Sequence, residues 1–332
     1  MSLDATPPTS PPVGVPLVGV PAVRVVEVTG DDRLGYLDAV LSQRLRDAEP
    51  GTVTSALELD AHGSPTAVLD VVVREDSLWL LVPEAVADDL VPRLAGRTFL
   101  SDARFAERDD LDVVRVVAPL PAPGDAPVED RAAVASLLEG IVPTSGEPPV
   151  AIEVPVSGWH VVVPRVGTGD LVGALVAAGA VQVDGAGLDA AEVVHGVPRA
   201  GVEVAAGVLP EELGLLPTHV HLDKGCYPGQ EAVARMWMLG RPRRRLARVR
   251  TVGEVGAGWE AGQGRDRTRV TRVAPGGAGL ALVPATTRPG VRIEAEDGSA
   301  VEVLDLVGDG RPQPGHDPAV PRRRDRRDAA AG

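Results

Sequence analysis

Glycine and proline punctuate this chain so often that it can only be assembled from short elements. There are 38 glycines and 31 prolines in 332 residues. Each glycine loosens the backbone and each proline removes an amide donor, so many turns are expected and long helices are not. Aromatic residues make up only 2% against a hydrophobic content of 44%, which leaves valine, leucine and alanine to fill the interior. A chain of this length predicts about two domains, with room for three small ones.

The charge balance narrows the partners. With 47 acidic and 33 basic residues the net charge is -14, and such a field repels nucleic-acid backbones in general. The single cysteine excludes an internal disulfide and suits a reducing cytoplasm. No apolar run approaches the roughly 20 residues that span a bilayer. Residues 1–21 lack a basic stretch followed by an apolar one, so no secretory signal is read. The expectation is a cytoplasmic protein with no membrane association.

Five boundaries divide the sequence. Residues 1–21, with Pro7, Pro8, Pro11, Pro12 and Pro16, are expected to be a disordered lead. Residues 22–118 form a first α+β segment. It has a strand over Val23–Val28, a helix start at Thr29-Gly30-Asp31-Asp32, and Leu34, Leu37, Leu41 and Leu45 at helical spacing. Strands follow over Thr52–Leu59, Ala67–Val73, Leu78–Val82 and Val113–Val117, with a helix after Pro83. Residues 119–130, containing PLPAPGDAP, are the clearest linker. A second α+β segment, 131–240, holds a helical stretch Arg131–Leu138, a strand Trp159–Val163, a helix Leu171–Ala178 and then turn-rich sequence. Between 241 and 307 short valine-rich strands, such as Thr268–Val273, Gly279–Val283 and Val301–Val307, predict a small antiparallel barrel. Residues 308–332 are expected to be a disordered tail.

The densest chemistry lies in Lys224-Gly225-Cys226-Tyr227-Pro228-Gly229-Gln230-Glu231, followed by Arg235. It holds the one cysteine, between two glycines and ahead of a helix-like run, Gln230–Leu239. A lysine two residues away and a helix N-terminus both favour thiolate over thiol. The bland alternative is a small apolar residue buried under a turn. Lys224 and Arg235 supply positive charge, Gly225 and Gly229 allow close backbone approach, and Gln230 and Glu231 suit the first turn of a helix.

This string resembles the signature of the YgfZ/GcvT family, folate-binding proteins related to the T-protein of the glycine cleavage system. Val28 to Leu34 and Trp159 to Arg165 are similar to that family's first strand-to-helix junction and middle-lobe strand, and the likeness spans residues 23–307. The resemblance implies a GcvT-like α+β fold, with two α+β lobes and a C-terminal antiparallel β-barrel around a central folate cavity. It further implies tetrahydrofolate or a one-carbon derivative as ligand, with no stably bound metal. Cys226 would be the functional thiol with Lys224 and Arg235. Gly225, Tyr227, Gly229, Gln230, Glu231 and Glu203 would contact the ligand. The YgfZ branch supports iron–sulfur cluster assembly, so client or assembly proteins are implied partners. The alternative is a folate-dependent aminomethyltransferase. One cysteine cannot hold a cluster by itself, which leaves three roles open to the thiol: transient ligand, mixed disulfide, or lining the cavity.

Two departures from the family pattern bear on these expectations. Aminomethyltransferases carry a Gly-Gly-x-x-Asp-Asp pattern, but counting from Gly63 puts Ala67 and Val68 at the acidic positions, with Asp70 out of register. Without that acid a general acid–base contribution of about 10²–10⁴-fold is lost, which favours a binding protein over a transferase. The family's R-x-E-x-G-x-P is replaced by Glu192-Val193-Val194-His195-Gly196-Val197-Pro198, leaving Glu203 as the acid to meet a pterin. His219, His221, Asp223 and Cys226 form a second constellation, of which the first three would share a face in a strand, as metal ligands or as ordinary surface groups. Gly167–Gly173 mimics a dinucleotide loop but has the wrong spacing, and reads as a helix start. The basic run Arg241–Arg250 fits either a tRNA or other polyanion, or a solvated strand paired with acids.

Overall fold

A computed structural model describes residues 12–120, 138, 149–154, 158–239 and 242–309. The linker beyond Leu120, most of the stretch Arg131–Leu138, Arg241 and the tail beyond Asp309 lie outside these residues.

Three antiparallel-rich sheets make up the molecule. The first contains β2 (Val23–Thr29), β3 (Val53–Leu59), β4 (Pro65–Val73), β5 (Ser77–Pro83) and β6 (Arg104–Glu107), in the order β3-β4-β5-β2-β6. Its outer face is covered by α1 (Arg33–Val40) and α2 (Glu84–Ala95), which trap Leu37, Leu90 and Leu94 against Val26, Val71 and Leu80. The leucine ladder read as one helix continues into the core, but α1 stops before Leu41. Leu41 and Leu45 reach the same cluster from the loop that follows.

The second sheet has the order β10-β1-β7-β9-β8, and its strands come from widely separated parts of the chain. They are β1 (Leu17–Gly19), β7 (Leu111–Val117), β8 (Val150–Val154), β9 (Gly158–Pro164) and β10 (Val181–Gln182). Thus the lead expected to be disordered through residue 21 contributes a strand whose Leu17 and Val18 are fully buried, paired with β7 and β10. Proline flanks this strand at Pro16 and Pro21 without entering it, which is how so proline-rich a segment joins a sheet. Likewise β7, assigned by sequence to the first segment, crosses into the second. The outer face of this sheet carries α3 (Thr168–Ala177).

The sequence between β10 and the signature, expected to be rich in turns, contains α4 (Gly185–His195) and a short α5 (Leu216–His219). The boundary signals of α4 are local. The Asp184 carboxylate accepts the Gly187 amide at its start, and Gly196 closes it at φ 77°, a left-handed residue that favours glycine. After α6 (Gln230–Leu239) come β11 (Arg244–Val252), β12 (Glu260–Ala261), β13 (Thr268–Val273), β14 (Ala278–Pro284), β15 (Arg292–Glu294) and β16 (Ala300–Leu306). They pair in the order β12-β13-β14-β11-β16-β15 and wrap a barrel-like core of Val249, Val270, Val283, Val301 and Val303. The two α+β lobes and the terminal antiparallel barrel are present as expected.

The inner faces of the first and second sheets pack on each other. Val72 and Leu81 meet Val113, Ile152 and Val162. Side chains two apart along a strand share a face, so Asp70 lies on the face of Val72, Arg115 on that of Val113, and His160 on that of Val162. Arg115 and His160 are direct partners in the β7–β9 ladder, as are Val113 and Val162. One step along three strands, the apolar contact between the lobes becomes polar. A cavity opens there.

Candidate functional site

The cavity has a volume of about 560 Å³ and lies where the two inner sheets, α4, α5 and the end of β16 converge. That is within the range of small-molecule sites, roughly 300–1,000 Å³. Ser55 and Asp70 face it from the first sheet, Arg115 and His160 from the second, and Glu192 and His195 from α4. Apolar walls come from Val68, Leu69, Leu81 and Leu188, and Arg199, Arg248 and Asp305 also border it.

These polar groups are organised. Ser55 Oγ donates to Asp70 Oδ1 at 2.6 Å, and His160 Nδ1 lies 3.0 Å from Asp70 Oδ2. Burial pushes the Asp70 carboxyl up, but the hydrogen bonds from His160 and the Ser55 hydroxyl overcome this and hold it below the usual range. Burial pulls His160 down, aided by the Arg115 charge and opposed by Asp70. An ionised Asp70 therefore accepts the Nδ1 proton of a neutral His160. Burial pulls His195 down to about 4. Its Nε2 donates to the Ala118 carbonyl at 3.3 Å, and its Nδ1 is buried with no partner among the described residues. Burial raises Glu192, against the pull of Arg115 and Arg272. Across the neighbouring junction Asp189 accepts from Arg199 at 2.7 Å and from Arg272 at 2.8 Å, which anchors α4 to the third sheet.

Asp70 thus stands at the cavity although sequence counting placed it out of register. The register shift between Glu58 and Leu59 in the β3–β4 pair lies just past the glycine from which the count was made. The argument that no acid is available for chemistry fails on this point.

None of the nine residues singled out from the signature and its surroundings borders the cavity. Cys226 is exposed. The Lys224 side chain is wholly buried, and its amine donates to the carbonyls of Asp38, Leu41 at 2.7 Å and Gln43 at 3.0 Å. It lies 4.9 Å from the centre of the Tyr227 ring, and burial brings it down to about 8. Its charge ties down the end of α1 rather than turning to the thiol. Tyr227 packs in the core between first lobe, signature and third sheet, where burial raises its hydroxyl to about 12. Gly229 has φ 77°, and a Cβ there would stand 2.5 Å from the Asp60 carbonyl, so only glycine fits against the β3–β4 turn. Gly225 approaches Asp38, with a Cβ position 3.8 Å from Oδ2. Gln230 accepts the Tyr227 amide at 3.3 Å, and Arg235 pairs with Glu231 at 2.6 Å on the exposed side of α6. Glu203 is 1% exposed and is spent on the Arg199 amide, Thr271 and Arg272.

His219 ends α5 and borders the cavity, while His221 and Asp223 lie in a loop, so no strand aligns them. Among the described residues no group of three His, Cys, Asp or Glu side chains is placed to hold a metal. Arg244, Arg245, Arg248 and Arg250 pair with Glu212, Asp309, Asp305 and Glu302 respectively. No helix among the described residues is long and apolar enough to cross a membrane.

Sequence reading passed over Arg115 and treated His160 only as part of a strand. A signal was available: Asp70, Arg115 and His160 each break a run of apolar residues within a strand, and a buried charge persists only where something answers it.

No family model and no curated protein matches this chain. Among solved structures it is similar to the glycine cleavage system aminomethyltransferase T from Bartonella henselae, with a TM-score of 0.68 at 14% identity. The match covers 90% of this chain and 88% of that one. The chain has a GcvT-like fold.

Proposed function

We propose that this chain is a folate-binding accessory protein of the YgfZ kind, which seats a tetrahydrofolate or one-carbon derivative in its central cavity and serves iron–sulfur proteins through Cys226. One observation carries the reading: the thiol is exposed while the cavity lies elsewhere. A thiol that meets another protein must be reachable from outside, and a cavity of this size suits a small molecule. The cavity's polar set fits a pterin, whose edge alternates donors and acceptors. Glu192 and Asp70 accept, Arg115 donates, and His195 offers a buried nitrogen with no partner among the described residues. A folate bound there would carry the one-carbon unit; the chain's own groups bind and orient it.

The test separates the two sites. Cys226→Ser should bind tetrahydrofolate as the parent does in calorimetric titration, yet fail to restore iron–sulfur enzyme activity in cells lacking the native protein. Full restoration would refute the role of the thiol, and absence of folate binding by the parent would refute the role of the cavity.

A second reading, a folate-dependent aminomethyltransferase, is favoured by the Asp70–His160 pair, which puts an acid–base group at the cavity. Turnover of a glycine-derived aminomethyl group by the purified chain would establish it in place of the first.

A further inference from the structure

His160 borders the cavity with one nitrogen committed and one not. Nδ1 gives its proton to Asp70 at 3.0 Å, and Asp70 is held in turn by Ser55 at 2.6 Å. Nε2 has no hydrogen-bond partner among the described residues. The committed side fixes the tautomer: with Asp70 ionised the proton stays on Nδ1, so Nε2 carries a lone pair. The cavity therefore contains an oriented acceptor that cannot become a donor unless the ring takes up a proton.

We propose that His160 determines which oxidation state of the pterin the cavity accepts, taking a hydrogen bond at Nε2 from a ring N–H that only the reduced form has. This rests on the reading that a folate occupies the cavity. A fully reduced pterin bears N–H groups on the ring that the oxidised, aromatic form replaces with bare nitrogen lone pairs. Against a neutral imidazole the reduced ring makes a hydrogen bond, whereas the oxidised ring sets lone pair against lone pair. Leaving such an acceptor unsatisfied beneath a bound ligand lowers affinity roughly tenfold to a hundredfold. Asp70 is the positioning residue, since without it the imidazole is free to move its proton to Nε2 and present a donor. The charged groups about His160 are Asp70 of β4 and Arg115 of β7, with Glu192 and His195 of α4 and His219 of α5 also bordering the cavity.

The experiment measures dissociation constants for tetrahydrofolate and for folic acid, under anaerobic conditions, on the full chain and on His160→Gln and Asp70→Asn. The parent should prefer the reduced form by about tenfold or more. His160→Gln, whose amide both donates and accepts, should bind both forms with nearly equal affinity, and Asp70→Asn should narrow the gap. A readout independent of any variant is the ¹⁵N spectrum of the His160 ring. Tetrahydrofolate should shift Nε2 while Nδ1 keeps its proton, and folic acid should leave Nε2 unmoved. Equal affinities in the parent, or a preference that survives in His160→Gln, would overturn the inference while leaving folate binding intact. Failure of both folates to bind the parent would remove the reading beneath it and the inference with it.

Discussion

The signature loop and the central cavity differ in an instructive way. In the loop, a rare string of residues lies together in sequence, and nearly every member has a task within the fold. Lys224 bonds three carbonyls, Tyr227 fills a core, Gly229 lets the loop touch the β3–β4 turn, and only Cys226 faces solvent without such a task. In the cavity, Ser55, Asp70, Arg115 and His160 arrive one each from β3, β4, β7 and β9, and Glu192 and His195 come together from α4, so no short string contains the whole set. A memorable motif reports tight local constraint on the backbone. Groups that can act on a ligand are gathered by long-range packing.

That contrast is broken most forcefully at Lys224. Replacing it by methionine keeps the stem but leaves three inward carbonyls without their donor, which should lower unfolding free energy by about 3–5 kcal/mol. Urea unfolding measures this. A change below about 1 kcal/mol would show that the amine is not a structural tie.

The cavity should announce itself through pH. His195 sits at about 4 in the folded chain against an ordinary 6.5, so the unfolded chain binds that proton more readily. Its contribution to stability is complete above the unfolded value and is lost as pH falls from there towards the folded one, in total at most about 3 kcal/mol. Urea unfolding between about pH 7 and about pH 5 should show this slope in the parent and a flatter one in His195→Leu. Identical slopes would mean that the imidazole is already accessible to protons.

The smallest effect is expected at Arg235. Its pairing with Glu231 is exposed, at 70% and 83% side-chain accessibility, so Arg235→Ala should change stability by no more than about 0.5 kcal/mol. It should also leave tetrahydrofolate affinity untouched. A large loss of affinity would return the loop to the ligand site.

Much of the fold was legible because its signals are local. Short runs rich in valine or leucine marked β9, β13, β14 and β16, and the acidic start after Thr29 marked α1. The short strands β1 and β10 were not legible, since three and two residues carry no periodicity and take their stability from pairing with β7 and each other. Helix α4 was missed although Asp184 and Gly196 mark its ends, because alanine and glycine within it obscure an apolar stripe. The site was legible only in part. Asp70, Arg115 and His160 stand out as charged or titratable residues flanked by apolar ones in their strands, but which of them meet is decided by how two sheets face each other, and no spacing in the sequence encodes that.

The central claim is that the ligand is held by the cavity and not by the signature loop. It is tested most directly by calorimetric titration of tetrahydrofolate into two variants: Val68→Trp, which fills the cavity from β4, and Cys226→Ser. The account predicts that Val68→Trp loses affinity by at least about tenfold and that Cys226→Ser binds as the parent does. Parent-like binding by Val68→Trp, with loss in Cys226→Ser, would contradict it.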